Sequence, residues 1–285
     1  MASFLFDNYL DHGVNIMRYK KPHPVLEVGE ATWRFSQDCK KMFEFTGDLT
    51  LAVCYAVRHP RKIRWRETLY YMDMCGSDAL PIVALICTLM GLILGFQAAV
   101  QMQKFGTDIY VADLVGFSII KELGPLMVAM IATGRAGSAF AAEIGTMKVS
   151  EEIDAMKTMG FVPSRFLVIP KLLAMLLVIP ILTVFGDLAG LFGGFIVGWV
   201  KLDIPPVAYY SRTILVLTPM TFFMGLVKSV IFAFLIAVVG CMRGFDASSD
   251  AQGVGRSATS AVVSGIFLVV IADAVLTILF STIGY

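Results

Sequence analysis

Long hydrophobic stretches alternate with short polar connections along most of this chain. Each of the main stretches is long enough to cross a lipid bilayer, which needs about 20 consecutive apolar residues. Five of them carry almost no charge, and they lie near 79–103, 114–141, 166–200, 214–241 and 259–283. The pattern predicts an all-α membrane protein with about five transmembrane helices in a domain that covers 79–285.

The third stretch is long for one crossing and contains Pro170 and Pro180, so one kinked helix and a hairpin both fit its length. Glycine recurs in it at every fourth residue, at Gly186, Gly190, Gly194 and Gly198. Residues four apart lie on one helical face, where glycines let a neighbouring backbone approach closely. The spacing favours one long helix that packs through this face.

The chain before the first stretch has two parts. Residues 1–30 are polar and lack the basic, apolar and small-residue regions of a removable signal peptide. Within 31–78, apolar residues between Trp33 and Val57 recur at three- and four-residue steps opposite a charged face. This periodicity predicts an amphipathic helix that lies on the membrane surface or, alternatively, packs against a cytosolic partner.

A basic segment at 58–66 holds five arginine or lysine residues and a tryptophan directly before the first span. Cations there mark the cytoplasmic side, and lipid headgroups are nearer partners for them than nucleic acid. We therefore expect a cytoplasmic N-terminus and a C-terminus on the opposite side. By alternation, the connections 104–113 and 201–213 lie outside, while 142–165 and 242–258 lie inside.

Composition excludes an ordinary soluble enzyme. Hydrophobic residues make up 57% of the 285 residues, charged residues only 16%, and the mean hydropathy is +0.76. A soluble domain carries roughly 25% charged residues. The chain has no GxxxxGK(S/T) motif for ATP, no HExxH or GxSxG motif, and no paired cysteine spacing. We predict no catalysis, no metal and no cofactor in this chain.

The connection from Gly134 to Gly160 is the most informative one, because its charges follow a helical pattern. Val149, Ile153 and Met156 form an apolar stripe. Six charged residues occupy the other side: Glu143, Lys148, Glu151, Glu152, Asp154 and Lys157. We predict a short amphipathic helix there on the cytoplasmic side. Its net acidic face suits a groove on a partner protein, although a second surface-lying helix would have the same pattern.

Ionisable residues inside the hydrophobic stretches are rare, and they are candidates for function or for pairing. Lys228 and Asp273 lie at similar depth in neighbouring stretches, so we expect a buried ion pair that locks the structure or serves in a switching relay. Glu122 is expected either to line a wet cavity or to pair with Lys121 or a nearby arginine. Asp187 interrupts the third stretch.

The end of the first stretch combines amide and apolar side chains, namely Gln97, Gln101, Met102, Gln103 and Phe105. Flexible methionine beside polar amides suits a site that accepts amphiphiles. An ordinary belt at the outer membrane interface has the same composition, so both interpretations stay open at this point.

Four segments resemble the MlaE/YrbE family of permeases. They are LPIVALICTLMGLILGFQAA, the central motif KELGPLMVAMIATGRAGSAFAAEIGTMKVSEEIDAMKTMG, LVKSVIFAF and ADAVLT. The similarity covers roughly residues 35–285, and the long central motif is highly specific.

The resemblance implies a bacterial inner-membrane ABC transporter that moves phospholipids or other hydrophobic molecules between envelope layers and supports the lipid asymmetry of the outer membrane. In this family a permease homodimer joins two separate ATPase subunits, which bind ATP and Mg²⁺. A hexameric ring of MCE proteins completes the assembly in the periplasm. The C-terminus of the chain would then be periplasmic.

The resemblance also implies roles for individual residues. The helix Glu143–Met159 corresponds to the coupling helix, which docks on the ATPase through Glu143, Lys148, Glu151, Glu152, Ile153 and Met156. The lipid-pocket candidates are Leu94, Gln97, Gln101, Met102, Phe105 and Glu122. Lys228 and Asp273 match polar positions of the family. Lys121 stands where the family usually has arginine, so the resemblance does not imply a bidentate phosphate contact.

A secondary transporter with a proton relay through Glu122, or through Lys228 and Asp273, is the main alternative. It predicts inverted repeats with broken helices in both halves, which the sequence does not show. A membrane-embedded lipid enzyme and a purely structural subunit are further alternatives. The enzyme is disfavoured because no nucleophile and base are visible together.

Overall fold

The computed structural model describes residues 64–282 together with Trp33, Lys40, Gly47, Thr50 and Arg58. Contacts within the chain divide it into the units 1–43 and 44–285, and all features below belong to the second unit. The predicted leader 1–30 lies outside the described residues, as do all but four residues of the predicted helix Trp33–Val57.

Ten α-helices make up most of residues 64–282, and no strand occurs in this range. They are α1 (Trp65–Gly76), α2 (Leu80–Gln103), α3 (Val111–Ser118), α4 (Gly124–Ala132), α5 (Ser138–Val149), α6 (Glu152–Thr158), α7 (Ile169–Leu202), α8 (Pro206–Val216), α9 (Pro219–Phe245) and α10 (Ala251–Thr282).

Five segments of the described residues are long and apolar enough to cross a membrane. We refer to them as spans 1 to 5: Trp65–Gln103, Asp108–Val149, Ser164–Leu202, Pro219–Phe245 and Ala251–Thr282. This result confirms the predicted all-α class with five spans. Span 1 starts earlier than predicted because α1 continues into α2 after a short turn at 77–79.

Span 2 contains two π-helical turns, Ile119–Leu123 and Thr133–Gly137. Pro125 follows the first turn at the start of α4, where its missing N–H removes a bond that a regular helix would make. A π-turn inserts an extra residue, which redirects neighbouring side chains and is frequent at functional sites. The first turn therefore sets the direction of Lys121 and Glu122, which lie within it.

The third hydrophobic stretch forms one helix, α7, which continues through Pro180 and is not a hairpin. The predicted packing glycines, Gly186, Gly190, Gly194 and Gly198, are all buried. Spans 1 and 3 approach each other backbone to backbone, since a Cβ on Gly91 would overlap the carbonyl oxygen of Gly190. Any side chain at Gly91 would therefore push these two spans apart.

A helix that the hydrophobic pattern did not predict, α8, begins in the connection 201–213 and runs to Val216, so span 4 starts later than predicted, at Pro219. It begins at Pro206, because proline fits the first turn of a helix, where its missing N–H leaves no bond unmade. Arg212 of α8 forms a bidentate pair with Asp113 of α3, with Nη2 2.6 Å from Oδ2 and Nε 2.8 Å from Oδ1. These hydrogen bonds raise the pKa of the Arg212 guanidinium and tie α8 to the start of span 2.

The main hydrophobic core includes residues from all five spans. It also takes in Phe140 and Ile144 of α5 and Ile153 and Met156 of α6. The charged connection between spans 2 and 3 is therefore packed into the same core as the spans themselves.

Candidate functional site

A groove between α2 and α3 has a volume of about 340 Å³. This volume lies within the range of small-molecule sites, roughly 300–1,000 Å³. The groove is lined by Leu94, Gln97, Ala98, Gln101, Met102, Leu114, Val115 and Ser118. Four predicted pocket residues, Leu94, Gln97, Gln101 and Met102, are among them. Two amides and one hydroxyl thus stand among apolar side chains.

Two other predicted pocket residues do not line this groove. Phe105 lies beyond the end of α2 with 74% of its surface exposed, because the chain turns at Gly106, whose φ is +64°. Glu122 points into a charged cluster between spans 2, 4 and 5, because the π-turn directs it there. Glu122 thus forms an ion pair, the alternative to a cavity-lining position, and its partner is Lys228 of another span.

The charged cluster is centred on Lys228, which is completely buried. Its Nζ forms an ion pair with Glu122 and donates hydrogen bonds to Asp273 Oδ1 at 2.8 Å and Thr277 Oγ1 at 2.8 Å. The structure thus brings Lys228 and Asp273 together and adds Glu122 and Thr277. We call these four residues the Lys228 cluster. One ammonium balances one carboxylate, so the cluster has a net negative charge when both carboxylates are ionised.

The segment Glu143–Met159, predicted as one helix, is two helices. Its first helix, α5, ends at Val149, and Glu151 takes a left-handed conformation with φ +60° before α6 begins. Residues other than glycine seldom adopt this conformation. The Ser150 hydroxyl supports the turn by donating to the carbonyl oxygen of Thr146 at 2.9 Å. The break changes the direction of the chain, so one helical stripe cannot run through the whole segment.

Four of the six residues predicted to dock on an ATPase make contacts inside this chain. Ile153 and Met156 are buried in the core. Lys148 Nζ donates to the carbonyl oxygen of Phe245 at 2.6 Å, and Glu143 pairs with a buried lysine on α7. Only the remaining two, both glutamates, are exposed.

An exposed surface remains on and just after α6, and we call it the α6 surface. Lys157 donates a hydrogen bond to Asp154 Oδ1 at 2.8 Å there, which lowers the pKa of that carboxyl. Exposed apolar patches beside charged residues mark interaction sites on proteins. The surface combines acidic and large apolar side chains: Glu151, Glu152, Asp154, Met159, Phe161 and Val162.

Residues 68–279 match the family Permease MlaE. The chain belongs to the MlaE permease family. The matched range contains the groove, the Lys228 cluster and the α6 surface. Membership makes the chain a transporter subunit rather than an enzyme.

Named relatives of this MlaE permease match over most of its length. A probable ABC transporter permease protein of Rickettsia conorii is 35% identical over 257 residues, covering 89% of this chain and 96% of the relative. A probable ABC transporter permease protein of Synechocystis is 33% identical over 212 residues, covering 74% and 81%. The chloroplastic Protein TRIGALACTOSYLDIACYLGLYCEROL 1 of Arabidopsis thaliana is 31% identical over 219 residues, covering 77% and 63%.

Sequence reasoning missed three polar residues of this permease that take part in its two charged clusters. Lys171 is a cation near the start of the third hydrophobic stretch, and an ionisable residue at such a place is a signal for function or pairing. Tyr71 and Thr277 give no such signal, because tyrosine and threonine are common near membrane interfaces and within spans. Only the packing of distant helices shows their partners.

Proposed function

We propose that this chain is the permease subunit of an ABC transporter that moves phospholipids or similar hydrophobic molecules between the inner membrane and a periplasmic ring of MCE proteins. Two copies of the chain form the membrane part. Separate ATPase subunits, which carry ATP and Mg²⁺, drive the movement. In this arrangement the N-terminus is cytoplasmic and the C-terminus is periplasmic.

The groove between α2 and α3 is the observation that carries the proposed substrate. Gln97, Gln101 and Ser118 offer hydrogen bonds to a polar headgroup, whereas Leu94 and Met102 offer apolar contact to an acyl chain. A solute that uses both kinds of contact is an amphiphile, and membrane lipids are the amphiphiles that surround a five-span protein. The lipid in the name of the Arabidopsis relative supports the same substrate class.

The α6 surface supports an ATPase partner. The chain has no P-loop, and its bacterial relatives are named ABC transporter permeases, so ATP hydrolysis belongs to another subunit. In this proposal the exposed Glu151, Glu152 and Phe161 contact that subunit. Ile153 and Met156 hold the segment in the permease core instead of touching the partner.

Site-specific photocrosslinking tests the substrate. A photoreactive amino acid replaces Leu94 in the groove or, as a matched control, Ile93, which is 55% exposed on the same helix. In membranes that contain the assembled transporter, we expect ATP to change lipid labelling at position 94 several-fold. Labelling at position 93 should report bulk lipid and stay constant. Labelling at position 94 that does not respond to ATP would contradict the proposal.

A proton-driven lipid transporter is the second candidate, and the Lys228 cluster is the observation that favours it. Two carboxylates meet one buried ammonium between spans 2, 4 and 5, and ionisable residues inside spans are typical of proton pathways in transporters. Proteoliposomes separate the two candidates. Lipid movement with ATP and no pH gradient supports the first, and movement with a pH gradient and no ATP supports the second.

A further inference from the structure

Tyr71, Glu143 and Lys171 meet in a second cluster, around the buried Lys171 side chain, that links α1, α5 and α7. Lys171 Nζ donates hydrogen bonds to Tyr71 Oη at 2.7 Å and to Glu143 Oε1 at 3.0 Å. Tyr71 Oη donates in turn to Glu143 Oε1 at 2.6 Å. Each of the three side chains therefore contacts the other two, and we call this triangle the Lys171 joint.

The Lys171 ammonium is hydrogen-bonded by protein side chains, because it is buried away from solvent. The Lys171 side chain is 0% exposed. Its Nζ lies 4.2 Å from the centre of the Tyr71 ring and 5.7 Å from that of Phe140, so both aromatic faces contribute. A buried ammonium is stable only when it is paired and hydrogen-bonded. The positions of α1, α5 and α7 at this point are thus coupled through one charge.

The joint stands next to the segment that carries the α6 surface. Glu143 is on α5, the helix that leads directly to the break at Glu151 and then to α6. Ile153 and Met156, on the inner face of α6, belong to the same core as Tyr71. A displacement of α6 therefore reaches the joint both along α5 and through the packed core.

We propose that the Lys171 joint transmits movement of the α6 surface to α1 and to span 3, with Glu143 as a positioning residue. This inference rests on the proposed function, because it requires an ATPase partner that moves α6. The inference also gives Glu143 a different role from the one that the family resemblance implied, which was contact with the ATPase. Glu143 acts inside the permease, where its carboxylate holds Lys171 and Tyr71.

The test uses the complete transporter, reconstituted with its ATPase partner, and measures lipid moved per ATP hydrolysed. Tyr71→Phe removes one oxygen from the joint, and Glu143→Gln removes its negative charge. Tyr70→Phe is the matched control, because Tyr70 is 64% exposed and loses the same oxygen. We expect Tyr71→Phe and Glu143→Gln to lower lipid moved per ATP by roughly five-fold or more, the size of a typical coupling between sites. The control should keep the wild-type ratio.

A purely structural role would lower assembly, hydrolysis and transport together and would leave lipid moved per ATP unchanged. That result for Tyr71→Phe overturns the inference, whatever Glu143→Gln does to assembly. The wild-type complex separates this failure from failure of the proposed function. If the wild-type complex moves no lipid with ATP, the proposed function is wrong. If it moves lipid and Tyr71→Phe keeps its ratio, only the joint is wrong.

Discussion

Lys171 and Lys228 are both completely buried, yet their surroundings differ. Lys228 lies between the carboxylates of Glu122 and Asp273, whose side chains are 28% and 16% exposed. Lys171 has one carboxylate, Glu143, with 39% of its side chain exposed, and aromatic rings contact its other sides. Removing Lys228 therefore leaves two mostly buried carboxylates without their cation, whereas removing Lys171 leaves one carboxylate that is partly exposed.

The two clusters also connect different parts of the fold. The Lys228 cluster joins spans 2, 4 and 5, and the Lys171 joint joins spans 1, 2 and 3. Span 2 supplies a carboxylate to both, Glu122 before the π-turn Thr133–Gly137 and Glu143 after it. Span 2 is thus the common element through which a force applied near α6 can reach all the other spans.

The largest effect is expected for Lys228→Met. Breaking a buried ion pair by removing one partner costs about 3–5 kcal/mol, because the remaining charge is left uncompensated. Thermal unfolding of the purified protein in detergent measures the loss. Lys104→Met, at an exposed lysine after α2, is the control and should unfold like the wild type.

A neutral version of the Lys228 cluster checks the cause of that loss. Adding Glu122→Gln and Asp273→Asn to Lys228→Met removes the stranded charges and should restore most of the stability. If the triple variant is no more stable than Lys228→Met alone, lost packing rather than stranded charge explains the effect.

A smaller effect is expected for Lys171→Met. The remaining carboxylate of Glu143 is partly exposed and can be hydrated, so we expect a loss of about 1–3 kcal/mol in the free energy of unfolding. The same detergent unfolding experiment compares it with Lys228→Met. A larger loss for Lys171→Met than for Lys228→Met would reverse the comparison between the two clusters.

The smallest effect is expected for Thr277→Val, which keeps the shape of the side chain and removes one hydroxyl from the Lys228 cluster. The hydroxyl accepts from Lys228 Nζ and donates to Glu122 or to the carbonyl oxygen of Asp273. Its loss should cost about 1.5 kcal/mol, the low end for hydrogen bonds to charged groups, because both carboxylates still pair with Lys228. Thr259→Val, at an exposed threonine on the same helix, is the matched control. Equal unfolding temperatures for the two variants would show that Thr277 does not support Lys228.

The hydrophobic pattern predicted the five spans well, because each needs only a long apolar run. It also predicted the meeting of Lys228 and Asp273, since two rare charges at similar depth have few other partners. The same reasoning could not predict where the Glu122 side chain points. Its orientation depends on a π-turn, and a π-turn does not change the spacing of hydrophobic residues in a recognisable way.

The segment between spans 2 and 3 shows a different limit of the pattern. Its apolar stripe correctly identified Ile153 and Met156 as members of one face, but the face is covered by this chain's own core. Periodicity shows which residues share a face and not what covers it. The helix also breaks at Glu151, whose backbone is in the left-handed conformation. No glycine or proline at this position indicates the break in the sequence.

The central proposal, that an ATPase drives lipid movement through the α6 surface, is tested most directly in proteoliposomes that contain the complete transporter. Lipid transfer is measured with ATP and without a pH gradient for the wild type, for Glu151→Lys with Glu152→Lys, and for the control Lys104→Glu. We expect ATP-dependent transfer in the wild type and the control, and its loss in the double variant. Transfer that needs no ATP, or that the double variant performs as well as the wild type, would contradict the proposal.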